Sequence, residues 1–368
     1  MKRWWWVVVL MLVTVSAARA QPDAGTLVLL IDSDIYLWNE GDGAPVQVTD
    51  SGWSQIPAIS PDGRQVAYST AAQVTLDALE RTGGFGGGGG LPSDIYVMEL
   101  ANGTATLVAG QAADASFMLE GVPDKGVTRG NPVWSPDGTQ LAWAEYDVMD
   151  EQQRVVVYDL TSGTAETITT LPFPAMSIPN PVRLMWTRSG LVAQTMAAYV
   201  DPQSFNVSSE IFVMTYFVLE ADGSQRYFIQ PEATAERFAF DALVAVRRSD
   251  GREFLIVAYN TGAWAAYDLA SGALDFIPGN AIHLVSESAA AESVRLWMGT
   301  TTIPVNIYRV TSAAREPLLE AVGGLYYEIQ PNVAVARDGQ AFAYLVSDAA
   351  NPAPVREAAV WRGGVTTT

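Results

Sequence analysis

Along most of this chain apolar and polar residues alternate in short runs bounded by turn-forming residues, and they seldom recur at the spacing of a helix. Gln65-Val66-Ala67-Tyr68-Ser69, Gln140-Leu141-Ala142-Trp143 and Ser93-Asp94-Ile95-Tyr96-Val97-Met98 show the pattern. Short runs rich in β-branched and aromatic residues, closed off by Gly, Pro, Asp and Ser, predict strands. The stretch from Asn131 to Trp143 holds a whole β-hairpin, with Ser135-Pro136-Asp137-Gly138 as its turn, and Gln55 to Ser69 repeats it around Ser60-Pro61-Asp62-Gly63. Proline sets φ for the first turn position, aspartate accepts a local backbone N–H, and glycine takes the left-handed conformation that closes the hairpin. Gly63 and Gly138 are therefore expected at positive φ.

The pattern repeats along the chain. Looser copies of the hairpin end at Gly190, Gly251 and Gly339, and the interval between the last two has room for two units. A degenerate hairpin between Ala281 to Val285 and Val294 to Trp297 fills it, which brings the predicted total to six. A second unit follows the hairpins: Ser33-Asp34-Ile35-Tyr36, Ser93-Asp94-Ile95-Tyr96, Ser209-Glu210-Ile211-Phe212, Val157-Tyr158-Asp159-Leu160, Ala266-Tyr267-Asp268-Leu269 and Ile307-Tyr308-Arg309-Val310. Most of these meet a short turn and another brief strand, which makes four strands per repeat. Such a unit cannot bury both faces alone but a ring of them can, and four-stranded repeats of about 40–50 residues are the signature of a β-propeller. The predicted fold is thus all-β, with four-stranded antiparallel blades.

The two Ser-Pro-Asp-Gly hairpins, taken with the Asp-Ile-Tyr strands, resemble the repeats of TolB-like propellers. That resemblance implies an exported scaffold that binds protein partners, or a substrate-gating domain of prolyl oligopeptidase-like enzymes. The repeats leave no room for the N-terminal domain of TolB or for a hydrolase domain. Thr26 to Val48 supplies three strands without an obvious innermost one. Either they form an incomplete first blade in a ring of seven, or their outer strands complete the last blade in a ring of six. Ala358 to Trp361 and Val365 to Thr367 read as the last blade's own outer strands, so seven is preferred.

Residues 1–20 fall outside this pattern. Lys2-Arg3, the apolar run Trp4 to Val15, and Ala18 and Ala20 at a cleavage site predict a secretory signal peptide. Residues 21–368 are then one propeller domain, with a Gly-rich loop insertion at 71–92. Losing Lys2, Arg3 and Arg19 leaves 18 basic residues against 40 acidic ones, a balance of −22. A chain this acidic is repelled by nucleic acid and by anionic membranes. With no cysteine, disulfides, thiol nucleophiles and thiolate metal sites are excluded.

Chemistry is hard to find in the residues. Gly84, Gly86 and Gly89 formally satisfy a dinucleotide fingerprint, but Leu91-Pro92 leads into a strand, where the fingerprint needs a helix. His283, the one histidine, sits in an apolar strand with no Gly-x-Ser-x-Gly elbow to accompany it. Glu145, Asp147, Asp150 and Glu151 lack the central glycine of a calcium loop and read as a solvated acidic connection. Asn102-Gly103-Thr104 and Asn206-Val207-Ser208 match glycosylation sequons. No cofactor or metal is expected.

Strand order divides the remaining connections between two ends of the ring. With the four strands of a repeat lettered A to D in chain order and alternating in direction, the A–B and C–D turns share one end and are compact. The B–C and D–A connections share the other and are long, carrying Trp53, Phe85, Phe117, Tyr146 and Phe173 as candidate anchors for a partner. The sequence thus points to an exported, monomeric, non-enzymatic binding module for a protein, peptide or glycan of the cell envelope. A propeller glycosidase or lyase using carboxylates at the channel mouth is the alternative.

Overall fold

The computed structural model describes residues 26–39, 44–55, 57–84, 90–147, 152–172, 182–200, 203–234, 236–247, 252–261 and 264–275, followed by the backbone of separate strands between His283 and Thr367. Their strands sort into seven antiparallel sheets in chain order. Sheet 1 holds Thr26–Ile31, Asp34–Asn39 and Val46–Gln47, and sheet 2 holds Ala58–Ile59, Gln65–Ala71, Ser93–Glu99 and Ala105–Ala109. In sheet 3, Val127–Arg129 and Val133–Trp134 both pair with Gln140–Asp147, and Gln152–Asp159 and Thr164–Pro172 follow. Sheet 4 runs Arg183–Thr187, Gly190–Val200, Val207–Leu219, Gln225–Ile229; sheet 5 runs Ala239–Arg247, Glu253–Tyr259, Trp264–Asp268, Leu274–Asp275. Sheet 6 is His283–Val285, Val294–Trp297, Asn306–Val310 and Arg315–Glu320. In sheet 7, Leu325–Tyr326 and Val333–Val335 pair with Ala341–Asp348, next to Glu357–Arg362 and Val365–Thr367.

Ala58–Ile59, Val133–Trp134, Arg183–Thr187, Ala239–Arg247, His283–Val285 and Val333–Val335, one from each sheet from the second to the seventh, lie each beside the next, as strands set round a common axis do. All six predicted hairpins are present, including the degenerate one: Leu284 pairs with Arg295 and His283 with Leu296. His283 lies in a strand, as its neighbours suggested; its side chain is outside the described residues. Among the described residues the strands of sheet 1 pair only with one another, and sheet 7 is completed by its own strands.

The apolar core lies between sheets. Ile35 of sheet 1 packs with Val66, Tyr68 and Met98 of sheet 2. Ala67, Ile95 and Val97 meet Trp134, Leu141 and Trp143 of sheet 3. Ala142, Ala144 and Val155 meet Leu184, Leu191 and Leu219 of sheet 4, whose Tyr216 and Val218 in turn meet Leu255, Val257 and Tyr267 of sheet 5. The second strands are therefore buried on both faces, which explains the near-continuous apolar run Leu141 to Ala144. At about 1.5–3 kcal/mol for each large apolar side chain fully buried, these seams are the main stabilising contribution in a chain without disulfides.

One element departs from the sequence reading. The insertion at 71–92 carries the helix Gln73–Thr82 where only a loop was expected. Ala72, Thr75 and Ala78 are buried along it, and Gly83 ends it in the left-handed conformation at φ 71°. Glycine just past the last turn is the usual helix stop.

Candidate binding face

The two ends of the molecule are built differently. At one end lie the compact turns, and their chemistry is that read from the sequence: Gly63 and Gly138 have φ of 72° and 75°. The Ser60 hydroxyl donates to Asp62 at 2.6 Å, and that carboxylate accepts the Arg64 N–H at 3.1 Å; Ser135, Asp137 and Thr139 repeat the arrangement at 2.6 and 3.1 Å. Asp159 and Asp268 each accept two successive backbone N–H groups ahead of Gly163 and Gly272. Hydrogen bonds from Ser60 and Ser135 are the main reason that the Asp62 and Asp137 carboxyls titrate below the usual value.

At the other end the connections are long and pinned to one another. The helix is tied down where Thr75 Oγ1 donates to the Pro92 carbonyl at 2.6 Å and the Ala72 N–H reaches the same oxygen at 3.0 Å. Its Arg81 guanidinium donates to the Phe117 carbonyl at 3.0 Å, joining the helix to the neighbouring connection. That connection doubles back on itself through paired backbone bonds between Ser116 and Lys125 of 2.9 and 2.7 Å. The Gln111 amide holds its base, donating to Ser93 O at 2.8 Å and Val127 O at 3.0 Å.

Beneath these connections Arg129 is buried. It donates to Ser93 O at 2.7 Å, Gly110 O at 3.1 Å and Glu145 Oε2 at 3.1 Å, with Asp94 Oδ1 4.0 Å away. Burial lowers the Arg129 pKa, and Glu145 and Asp94 work against that shift. Glu145 also accepts from Trp143 Nε1 at 3.2 Å and lies 3.7 Å from Arg154. Glu145, expected on a solvated acidic connection, is instead the counter-charge of a buried arginine, because it sits in a strand that two sheets cover. Asp150 and Glu151 lie outside the described residues, and among those described no group of three or more His, Cys, Asp or Glu is placed to hold a metal.

The candidate anchors divide three ways. Trp53 is 41% exposed on the connection between sheets 1 and 2. Phe117 and Tyr146 are 6% and 4% exposed, so the two side chains expected to meet a partner are turned inward. Tyr146 lies in a strand covered on both faces; burial raises its pKa, and a hydrogen bond with the Gly90 backbone opposes the rise. Phe85 and Phe173 lie outside the described residues. Other side chains take the exposed positions at this end: Met118 at 40%, Leu119 at 39%, Val122 at 47%, and Phe205 at 78% between Val200 and Val207. The apolar cluster Phe117-Met118-Leu119 between turn residues was the signal available in the sequence. All four non-glycine residues with positive φ among those described, Asp32, Ser33, Met118 and Phe205, lie at this end.

The sequence matches no protein-family model and no curated protein. Solved structures do resemble the chain. The β-propeller domain of the Trilobed protease from Pyrococcus furiosus, described as having an open velcro topology, is similar over 93% of this chain and 92% of its own, at 14% identity and a TM-score of 0.52. The fold is a β-propeller. An oligogalacturonate lyase in complex with manganese is similar to this propeller over 94% of the chain and 85% of its own, at 12% identity and a TM-score of 0.53. TolB from Acinetobacter baumannii resembles the propeller more distantly, at 15% identity and a TM-score of 0.41 over 80% of this chain and 63% of its own. At these identities the likeness is one of fold, and a fold does not by itself assign a function.

Proposed function

We propose that the chain is an exported, TolB-like, non-enzymatic propeller of seven blades. It captures a protein, peptide or glycan of the cell envelope on the end that carries the long connections. One observation carries this reading: the exposed large apolar side chains gather at that end. Leu30 and Ile31, Trp53, Met118, Leu119 and Val122, and Phe205 with its neighbours all lie there, and the others occupy the outer strands or, with Ile59, the edge of a compact turn. Exposed apolar side chains that cluster on one side of a protein mark an interaction surface, whereas single scattered ones do not. The connection that presents Met118, Leu119 and Val122 is braced by Arg81, Gln111 and Arg129, so a partner meets an ordered surface there and less entropy is lost on binding.

Capture of envelope components by the mature protein tests the proposal. Trp53→Ser and Phe205→Ser are each expected to weaken capture by about tenfold, the effect of losing one aromatic anchor worth about 1.4 kcal/mol. Leu274→Ser, on an outer strand, should leave it unchanged. If Leu274→Ser abolishes capture and the other two do not, the face is wrongly assigned.

A further inference from the structure

We infer that the doubled-back connection from Asp114 to Lys125, with the helix Gln73–Thr82 beside it, docks a segment that is both cationic and apolar. This rests on the proposed binding end and names the chemistry of what it takes. Met118, Leu119 and Val122 are exposed together at the tip of this connection. Met118 has φ 51°, a conformation that a bulky side chain rarely adopts, and its N–H is held by Asp124 Oδ1 at 2.7 Å. Such outliers persist only where the surroundings impose them, and they gather at binding sites. Here the conformation carries a large apolar side chain into solvent.

The charges around the tip are one-sided. The helix and the connection together hold five carboxylates, Asp77, Glu80, Asp114, Glu120 and Asp124, against two cations, Arg81 and Lys125. Both cations are already engaged: Arg81 donates to the Phe117 carbonyl at 3.0 Å, and Lys125 pairs with Asp114 at 2.9 Å. Glu80 and Glu120 are exposed. An apolar tip in an acidic setting favours a partner that brings apolar side chains and lysine or arginine together. An acidic partner, or an anionic lipid surface, would be repelled.

The probe is a short synthetic peptide alternating leucine and lysine, compared with the same peptide carrying glutamate or serine in place of lysine. Titration against the mature protein should show binding of the lysine peptide alone, weakening by about tenfold as salt rises from about 20 to 300 mM, because contact charges are screened over this range. Leu119→Ser/Val122→Ser should weaken it by about tenfold, the loss of two apolar contacts. Glu80→Lys/Glu120→Lys should abolish it and admit the glutamate peptide instead. Glu99→Lys/Glu166→Lys changes the net charge by the same amount away from this connection and should change binding less than twofold. The inference is overturned if that distant reversal weakens binding as much, which would make the attraction a property of the whole acidic molecule. It is overturned equally if Leu119→Ser/Val122→Ser binds as the wild type does. Salt-insensitive capture of an envelope partner that survives Glu80→Lys/Glu120→Lys but is lost in Phe205→Ser would sink this inference alone and leave the proposed function standing.

Discussion

A methyl group at Gly126 would put a carbon 2.6 Å from Pro92 Cγ and 3.0 Å from its Cβ, where the proline ring cannot swing aside. Gly126→Ala must therefore move the base of the connection that carries the apolar tip, at a cost typical of overpacking, about 1–3 kcal/mol. A thermal melt should show a clear drop, larger than for Gly121→Ala. There φ is 74° but nothing lies within 4 Å of the added carbon, so the cost is the left-handed conformation alone, about 1 kcal/mol. The compact turns give a prediction in pH. Asp62 and Asp137 are held below 3.8 chiefly by the Ser60 and Ser135 hydroxyls, so their folded pKa lies below the unfolded one. The stability they contribute is then present above the unfolded value and lost as pH falls through the folded value. Asp62→Asn/Asp137→Asn should melt lower than wild type at neutral pH, and the two melts should converge below pH 3.8. A gap that stays constant with pH would mean that the charge on these carboxylates is not what stabilises the turns. These turns were legible in the sequence because every group in them lies within a few residues of its partner. The inward placement of Phe117 and Tyr146 was not, because burial at those positions depends on partners distant in the chain, such as the Gly90 backbone against Tyr146.

At the scale of elements, the repeat of hairpin and following strand located the hairpins, down to the most degenerate copy, where His283–Val285 pairs with Val294–Trp297. Period-two alternation identified strands but not their exposed faces, since the second strand of a sheet such as Gln140–Asp147 is covered on both sides. The helix Gln73–Thr82 is illegible in the sequence for a related reason. Its buried face is made partly of Thr75 and small alanines, so it presents no long apolar stripe, and Thr75 is accommodated only by the Pro92 carbonyl from the far end of the insertion. Thr75→Val keeps the shape but removes that hydrogen bond and leaves the Pro92 carbonyl with the Ala72 N–H alone, a change worth about 0.5–1.5 kcal/mol. It should lower the melting temperature and speed amide exchange of the helix relative to the sheets. If exchange rises evenly across the molecule, the helix is not a separately pinned element.

At the scale of the whole molecule, the seams between sheets hold the ring while its charge works against it. The full chain carries −19, and would carry −22 if residues 1–20 were removed as the proposed export requires. Among the described residues several ion pairs are exposed, Lys125 with Asp114 and Arg64 with Asp62 among them, and such pairs contribute about 0–1 kcal/mol each. Repulsion among the unpaired carboxylates acts over a Debye length of about 10 Å at 0.1 M salt and relaxes when the chain unfolds, so screening should favour the folded state. The melting temperature of the mature protein is therefore expected to rise as salt is added at neutral pH, with the gain shrinking toward the carboxylate pKa range as the net charge falls. The same addition should weaken a cationic peptide at the Met118 tip. Opposite responses to one variable, a firmer fold and a weaker complex, distinguish the charge of the molecule from the charge of the site. A melt that falls with salt would show instead that the exposed pairs outweigh the repulsion, and that the acidic surface does not work against the fold.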